Sequence, residues 1–195
     1  MKSGWDGGKK LKDLRDKMKL IVGLGNPGVS YERTRHNVGF LFLEKMQQDN
    51  RLTVWKEEKK FKGRVSKGKI ADEDWLLLQP QTFMNLAGES VGALMRFYRL
   101  QASQDLILVY DDLDLKFGEF KIGRKGPRGH NGVLNVQQTL GTTDFLQVRI
   151  GTDARAPENK ISGMDYVLQT MTGEELVKLR EEIFPKVEKE LQSWL

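Results

Sequence analysis

Residues 20–28 have the sequence LIVGLGNPG and join an apolar run to a polar turn. The run 20–24 is short and rich in branched aliphatic side chains, which predicts a buried strand. Asn26 and Pro27 follow at once. An Asn-Pro pair between glycines predicts a tight turn, because proline disfavours helix in the residue before it and glycine frees the backbone.

Apolar strands and amphipathic helices alternate along the rest of the chain. Further strands are predicted at 53–57, 61–66, 75–79, 106–110, 119–122 and 145–150, and helices at 34–48, 91–98, 133–140 and 172–195. A capping box, Thr172 to Glu175, begins the last helix, and Pro185 is expected to bend it. This order predicts a single-domain α/β fold, a three-layer α/β/α sandwich with a central mixed twisted sheet.

Polar residues follow three of the predicted strands, which end at Leu24, Gln79 and Tyr110. In α/β sheets, ligands bind beyond the carboxyl ends of the strands. We therefore expect these polar clusters to converge on one site.

The composition excludes several classes of protein. The chain has 195 residues, no cysteine and only two histidines, His36 and His130. These counts exclude a disulfide scaffold and a cysteine nucleophile, and they disfavour a histidine-rich metal centre. No apolar run approaches the roughly 20 residues that span a bilayer, and the N-terminal residues lack the apolar core of a secretory signal. We expect a cytoplasmic protein with no membrane segment.

The positive charge is concentrated in two stretches. The net charge is +5, residues 1–20 carry seven basic and three acidic side chains, and residues 116–130 carry five basic side chains and one acidic. Two basic stretches in an otherwise nearly neutral chain favour a polyanionic partner. The alternative is that these are solvated surface lysines, and this alternative carries more weight for residues 1–20 than for residues 116–130.

Gly23 to Gly28 also satisfy the pattern G-x-G-x-x-G directly after a strand, which is typical of dinucleotide binding. Pro27, however, lies where the phosphate-binding helix should offer backbone N–H groups, and the expected second strand ending in an acidic residue is missing. A turn that holds the Asn26 amide at the mouth of a cleft is the preferred interpretation.

His36, within the sequence TRHN at 34–37, is the candidate catalytic group, although a single histidine is more often structural. A neutral imidazole, whose ordinary pKa is about 6.5, can take a proton from water at neutral pH. Asp111 follows a predicted strand, where its carboxylate is well placed to orient the imidazole. Together these groups predict water activation. No serine lies in a G-x-S-x-G context, so no covalent nucleophile is proposed.

Three asparagines lie on glycine- or proline-rich loops after regular elements: Asn26, Asn85 and Asn131. Neutral amides can hold a peptide backbone or an ester carbonyl without adding charge. Simple turn chemistry is the alternative for each of them.

Five stretches, in order along the chain, resemble the bacterial-type peptidyl-tRNA hydrolases. They are LIVGLGNPGVSYERTRHNVG at 20–39, TFMNL at 82–86, YDDLDL at 110–115, GHNG at 129–132 and VRIG at 148–151. The resemblance spans residues 18 to about 190. It implies cleavage of the ester that links a peptide to the 3′ end of tRNA, without a metal or a cofactor.

The resemblance also implies a role for each matching residue. His36 is the expected general base and Asp111 its orienting partner. The expected substrate contacts are Asn26, Tyr31, Met84, Asn85, His130 and Asn131. Lys121 and Arg149 match the basic pair that grips the tRNA 5′-phosphate. Asp112 and Asp114 are expected to be turn or surface carboxylates.

Some features depart from the family pattern. Gln147 stands where a basic residue is common, and residues 152–155 replace the usual continuation after the VRIG motif; both put tRNA affinity in doubt more than catalysis. Residues 1–17 are interpreted as a flexible basic extension, and 18–195 as the hydrolase domain. We expect a monomer. The alternative function is a hydrolase-like RNA-binding module without catalysis, which the intact site residues disfavour.

Overall fold

The computed structural model describes residues 18–126 and 129–194. Within them, one mixed sheet has seven strands. These are β1 (Met18–Gly23), β2 (Lys56–Glu58), β3 (Gly63–Ile70), β4 (Glu73–Pro80), β5 (Leu106–Lys116), β6 (Phe120–Gly123) and β7 (Leu146–Asp153). The predicted extension, residues 1–17, lies outside the described residues.

The strand order across the sheet is β2-β3-β4-β1-β5-β7-β6. Strands β4, β1, β5 and β7 form a parallel centre, whereas β2, β3 and β6 add antiparallel pairs at the edges. Because β1 lies between β4 and β5, the ends of β1 and β4 are adjacent, and β5 continues past them on the other side of β1. The polar residues after β1 and β4 therefore lie at one edge of the sheet, beside β5.

Helices cover both faces of the sheet. They are α1 (Val38–Asp49), α2 (Ala87–Tyr98), α3 (Ala102–Asp105), α4 (Asn131–Leu140), α5 (Gly163–Val167), α6 (Gly173–Lys178) and α7 (Phe184–Gln192). Ile21 of β1 belongs to the core beneath α1 and α7, while Leu20 and Val22 belong to the core beneath α2 and α4. Alternate residues of one strand thus enter two cores, which explains its unbroken apolar run. The predicted three-layer sandwich is confirmed.

The end of β5 differs from the prediction. The strand continues to Lys116 instead of ending at Tyr110. Asp111 and Asp112 still pair with β7, and the register shifts only between Asp112 and Lys116. The acidic cluster therefore lies within a strand rather than in a loop after it.

The C-terminal helix is divided into three parts. The predicted capping box of Thr172 and Glu175 begins α6, a π-helical stretch covers Leu179–Ile183, and α7 follows with Pro185 in its first turn. Proline cannot donate the N–H that would continue a regular helix through this point. Pro185 thus lies in the first turn of α7, directly after the π-helical stretch. The short helices α3 and α5 were not predicted.

Close backbone contact at Gly39 sets the position of α1. A Cβ atom built on Gly39 would lie 2.5 Å from both the Leu24 nitrogen and the Val109 oxygen. Only glycine lets the first turn of α1 approach the residue after β1 and the middle of β5 this closely. The residues just before α1 are thereby placed at the carboxyl edge of the sheet. None of the helices in the described ranges has the length and apolar character of a membrane span.

Candidate active site

His36 lies in a 3₁₀ turn, Arg35–Asn37, that leads into α1. An antiparallel bridge between Thr34 and Thr170 ties the start of this turn to the segment that precedes α6. The His36 side chain is 14% exposed, so one edge of its ring remains accessible. The turn places the imidazole beside β5.

Asp111 joins the two histidines of the chain. Its Oδ1 atom lies 2.8 Å from Nδ1 of His36 and 3.0 Å from Nε2 of His130. The Asp111 side chain is 2% exposed, and the centroids of the two imidazole rings are 4.9 Å apart. The predicted pairing of His36 with Asp111 is thus present in the geometry, and His130 shares the same carboxylate oxygen.

The hydrogen bonds define the tautomer of each neutral ring. His130 caps α4 by accepting a hydrogen bond from the Val133 N–H at Nδ1, so its proton is on Nε2 and is donated to Asp111. A carboxylate only accepts, so His36 donates from Nδ1. The Nε2 atom of neutral His36 then carries the free lone pair, and it has no hydrogen-bond partner among the described residues.

Asp111 is held in its charged form. Burial works to raise the pKa of its carboxyl, but the facing imidazoles of His36 and His130, which also donate hydrogen bonds, keep that pKa well below its usual range. A charged Asp111 is the partner that an imidazolium at His36 requires.

The same three groups could in principle take a metal ion, since ligand atoms of His36, Asp111 and His130 lie within 4.8 Å of one another. The hydrogen bonds described above already use one ring nitrogen of each histidine toward Asp111. A metal bound between them would have to displace those two protons. The two ring nitrogens that face Asp111 are therefore already used by hydrogen bonds, whereas Nε2 of His36 is left free.

A cavity of about 420 Å³ is lined by His36, Asp111, His130 and Asn131. Leu113 of β5 and Gly163, Met164 and Val167 of α5 also line it. Asn131 is exposed at the first position of α4. Two predicted substrate contacts, His130 and Asn131, therefore share a cavity with the predicted catalytic pair.

Asn26 lies on the adjoining loop and is fixed by three hydrogen bonds. Its N–H donates to Oδ1 of Asn37 at 2.8 Å, and Asn37 Nδ2 donates back to the Asn26 carbonyl at 2.9 Å. Asn26 Oδ1 accepts from the Met84 N–H at 2.8 Å. The side-chain NH₂ of Asn26 is left as a donor with no protein partner among the described residues. Sequence reasoning missed Asn37, whose signal in the sequence was an amide directly after the histidine.

The remaining predicted substrate contacts cluster around Met84. Met84 is buried, and a Cβ on Gly132 would collide with its sulfur, so Met84 packs against the first turn of α4. Tyr31 meets Phe83 edge-on, with the ring centroids 6.4 Å apart. Asn85 is exposed beside them. Within the described residues, Asn26, Tyr31 and Asn85 are not among those that line the histidine cavity.

Lys121 and Arg149 lie directly opposite each other on β6 and β7. Lys121 is exposed, whereas Nε of the half-buried Arg149 donates to Oδ2 of Asp112 at 2.5 Å. Asp112 is 3% exposed. The expectation that Asp112 is a turn or surface carboxylate is wrong, because the strand continues through it and buries it against Arg149.

The chain is similar in sequence to known peptidyl-tRNA hydrolases. A family model described as peptidyl-tRNA hydrolase matches residues 20–195. A peptidyl-tRNA hydrolase of Bacillus cytotoxicus is 43% identical over 179 residues, covering 91% of this chain and 93% of the relative. One from Staphylococcus saprophyticus is 42% identical over 167 residues and covers 85% of each chain.

The fold is similar to solved structures of the same family. The crystal structure of peptidyl-tRNA hydrolase from Acinetobacter baumannii matches with a TM-score of 0.78 and 32% identity, over 91% of this chain and 90% of that one. The match of a family model to nearly the whole chain, relatives more than 40% identical and the shared fold all agree. This chain belongs to the peptidyl-tRNA hydrolase family.

Proposed function

We propose that His36, oriented by Asp111, is the general base with which this member of the peptidyl-tRNA hydrolase family cleaves the ester between peptide and tRNA. The observation that carries the proposal is the unpartnered Nε2 atom of His36 in a cavity, with Nδ1 bonded to a buried carboxylate. This is the arrangement in which a neutral imidazole is ready to accept a proton.

The reaction then follows in two steps. Water hydrogen-bonded to His36 Nε2 attacks the ester carbonyl carbon, and its proton passes to Nε2. The imidazolium that forms is stabilised by the charged Asp111 at 2.8 Å from Nδ1. When the tetrahedral intermediate collapses, the bond to the ribose oxygen breaks, and His36 returns its proton to that leaving oxygen. The products are free tRNA and a peptide acid.

Asparagine side chains position the substrate in this proposal. The Asn26 NH₂ group is a free donor whose orientation is set by the Met84 N–H on its oxygen. Asn131 borders the same cavity as His36, and the exposed Asn85 follows Met84. Neutral amide donors suit an ester carbonyl that becomes an oxyanion, since they stabilise it without a proton transfer. Tyr31 is proposed to contact the substrate beside them, and the buried Met84, whose N–H donates to Asn26, supports that amide.

Lys121 and Arg149 are proposed to bind the tRNA 5′-phosphate. They are cross-strand neighbours, and Arg149 is oriented by Asp112, which immediately follows Asp111 in β5. This places a pair of cations beside the catalytic strand. Replacement of Lys121 by alanine is expected to raise KM for tRNA substrates and flatten their salt dependence while kcat changes little. A short substrate that lacks the 5′ end should be cleaved normally, and an equal loss on that substrate would contradict this assignment.

The decisive experiment follows the release of a labelled N-acyl-amino acid from tRNA. The wild-type chain, expected to act as a monomer without an added metal or cofactor, should release it, and His36→Ala should lower kcat by at least about 10²-fold with tRNA affinity retained. An RNA-binding module would bind tRNA but release nothing, in the wild type and the variant alike. A His36→Ala protein that retains most of its activity would refute the general-base role.

A further inference from the structure

We propose that Arg35 is a positioning residue for His36. Its guanidinium fixes the turn that carries the histidine onto the segment 163–175, which supplies one wall of the active-site cavity. The inference rests on the proposed function, because it concerns the same hydrolysis.

Arg35 is a buried cation with one carboxylate partner. The residue is 6% exposed, and its Nη2 atom lies 2.5 Å from Oε1 of Glu175. Glu175 is itself 14% exposed, so both charges are removed from water together. A buried pair of this kind is costly to break, since the partner that remains is left uncompensated. Arg35 and Glu175 therefore hold their two segments together.

Glu175 uses its second oxygen in the capping box of α6. Oε2 accepts the Thr172 N–H at 2.7 Å, and the Thr172 hydroxyl accepts the Glu175 N–H at 3.1 Å. The carboxylate thus joins the start of α6 to Arg35. Glutamine has only one acceptor oxygen, so Glu175→Gln can keep the cap or accept from Arg35, and its NH₂ group must face a donor in either case.

The Arg35 guanidinium lies over the ring of Tyr166 of α5. The Cζ atom is 4.4 Å from the centre of that ring, and the guanidinium of Arg155 lies over the same ring at 4.9 Å. Tyr166 is 4% exposed, and its hydroxyl accepts the Ala154 N–H. Arg155 is held in turn by Asp153, with which it makes two side-chain hydrogen bonds of 2.9 Å. Tyr166 therefore cannot shift without breaking these contacts.

The helix that carries Tyr166 also forms the cavity wall. Gly163, Met164 and Val167 of α5 line the space in front of His36. A backbone hydrogen bond also joins the turn of His36 to the residues after α5, because the Arg35 N–H donates to the Gln169 carbonyl at 3.2 Å. Arg35 therefore fixes the relative position of the base and of the wall against which the substrate is held. Since misplacement by about 1 Å can cost about 10²-fold in rate, this link bears directly on turnover.

Lysine cannot replace both contacts. A guanidinium is planar and can stack on Tyr166 while it donates in its own plane to Glu175, whereas an ammonium group is a point donor. Arg35→Lys is expected to fold with its charge paired but to recover only part of the rate. Arg35→Gln removes the charge and leaves Glu175 uncompensated.

The test measures kcat and KM for N-acyl-aminoacyl-tRNA with Arg35→Gln, Arg35→Lys and Glu175→Gln, well below their melting temperatures. The matched control is Arg33→Gln, since Arg33 is exposed and its side chain makes no hydrogen bond or ion pair within the described residues. Arg35→Gln is expected to lower kcat by about tenfold to a hundredfold with KM within about twofold. Arg33→Gln should retain the wild-type kcat. The double variant Arg35→Gln with Glu175→Gln should be no worse than the poorer single one, because both break the same link.

A spectroscopic readout separates positioning from loss of fold. The Nδ1 proton of His36, hydrogen-bonded to Asp111, should shift or broaden in Arg35→Gln although both of those residues are intact. If Arg35→Gln does not fold, Arg35→Lys and Glu175→Gln carry the same test. A folded Arg35→Gln with kcat within twofold of wild type, or a loss confined to KM, would overturn the inference. Failure of the proposed function would look different, because the wild-type chain would then release no product.

Discussion

Replacement of Asp111 by asparagine isolates the charge of the catalytic carboxylate from its hydrogen bonds. Both imidazoles donate to the same oxygen, Oδ1. An asparagine whose amide oxygen takes that position retains both bonds and both tautomers. What it loses is the negative charge that faces the imidazolium formed at His36.

The size of that loss follows from the separation. Unit charges about 4 Å apart interact by about 4 kcal/mol at an effective dielectric constant of about 20. At about 1.4 kcal/mol for each factor of ten, this corresponds to about 10³-fold in rate. The dipole of the asparagine amide replaces part of the lost stabilisation of the imidazolium, so we expect Asp111→Asn to lower kcat by about 10² to 10³-fold. Asp111→Ala should lose more, since it also removes both hydrogen bonds and releases the two rings.

The assay is single-turnover release of labelled N-acyl-amino acid from tRNA, with Asp72→Asn as the control for the same chemical change. Asp72 is exposed in the turn between β3 and β4, at the end of β4 remote from the site, and its φ of 65° suits asparagine. Asp72→Asn should retain the wild-type rate. An Asp111→Asn protein within threefold of wild type would refute the role of the charge. Rates for Asp111→Asn and Asp111→Ala that are equally low would refute the shared-oxygen geometry.

The same variant changes the pH dependence of stability. The folded state lowers the pKa of Asp111, so the charged form is favoured by folding. Its contribution is fully present above the unfolded pKa of about 3.9 and is lost as the pH falls through the lower folded value. Urea unfolding should therefore show the wild type losing stability relative to Asp111→Asn as the pH falls below about pH 4. A difference in stability that does not change down to about pH 2 would contradict the lowered pKa.

Three further predictions concern other parts of the chain. Asp112→Asn should raise KM for tRNA several-fold with little change in kcat, because it releases the Arg149 guanidinium. An unchanged KM would show that Asp112 has no role in tRNA binding. A chain that begins at Met18 should fold and hydrolyse peptidyl-tRNA at a near-full rate, with its KM at low salt raised by about tenfold or less. Thermal melting and KM at two salt concentrations test this. An inactive or unfolded chain would show that residues 1–17 are part of the domain. Gly39→Ala should lower the free energy of unfolding by about 3 kcal/mol or more in urea titrations, because its Cβ would meet backbone atoms of β1 and β5 that cannot move away.

The order of strands and helices could be predicted from local sequence because each element carries its own signal. The run 20–24 is apolar at every position since both faces of β1 are covered, and the Asn-Pro turn after it marks its end. The capping box at Thr172 acts within four residues, so it too is visible without the fold. The end of β5 was misplaced because an acidic cluster resembles a loop, and only pairing with β7 shows that the strand continues.

The sequence by itself determined which side chains were candidates for the chemistry. Few histidines are present, and the motifs around His36, Asp111 and the three asparagines match a family in order and spacing. It could not determine how those side chains meet. His36 and Asp111 are 75 residues apart, and Asp111 and His130 are 19 apart. Their contact depends on β1 lying beside β5 and on the glycine that lets α1 approach both strands.

Only the tertiary structure decided the tautomers of the two histidines. The tautomer of His130 depends on the helix N–H that it caps, and that of His36 depends on the carboxylate it faces. The links from Arg149 to Asp112 and from Arg35 to Glu175 likewise join charges that lie far apart along the chain. The physical reason is that a hydrogen bond or ion pair acts over a few ångströms in space, whereas residue spacing along a folded chain fixes distance only within one element.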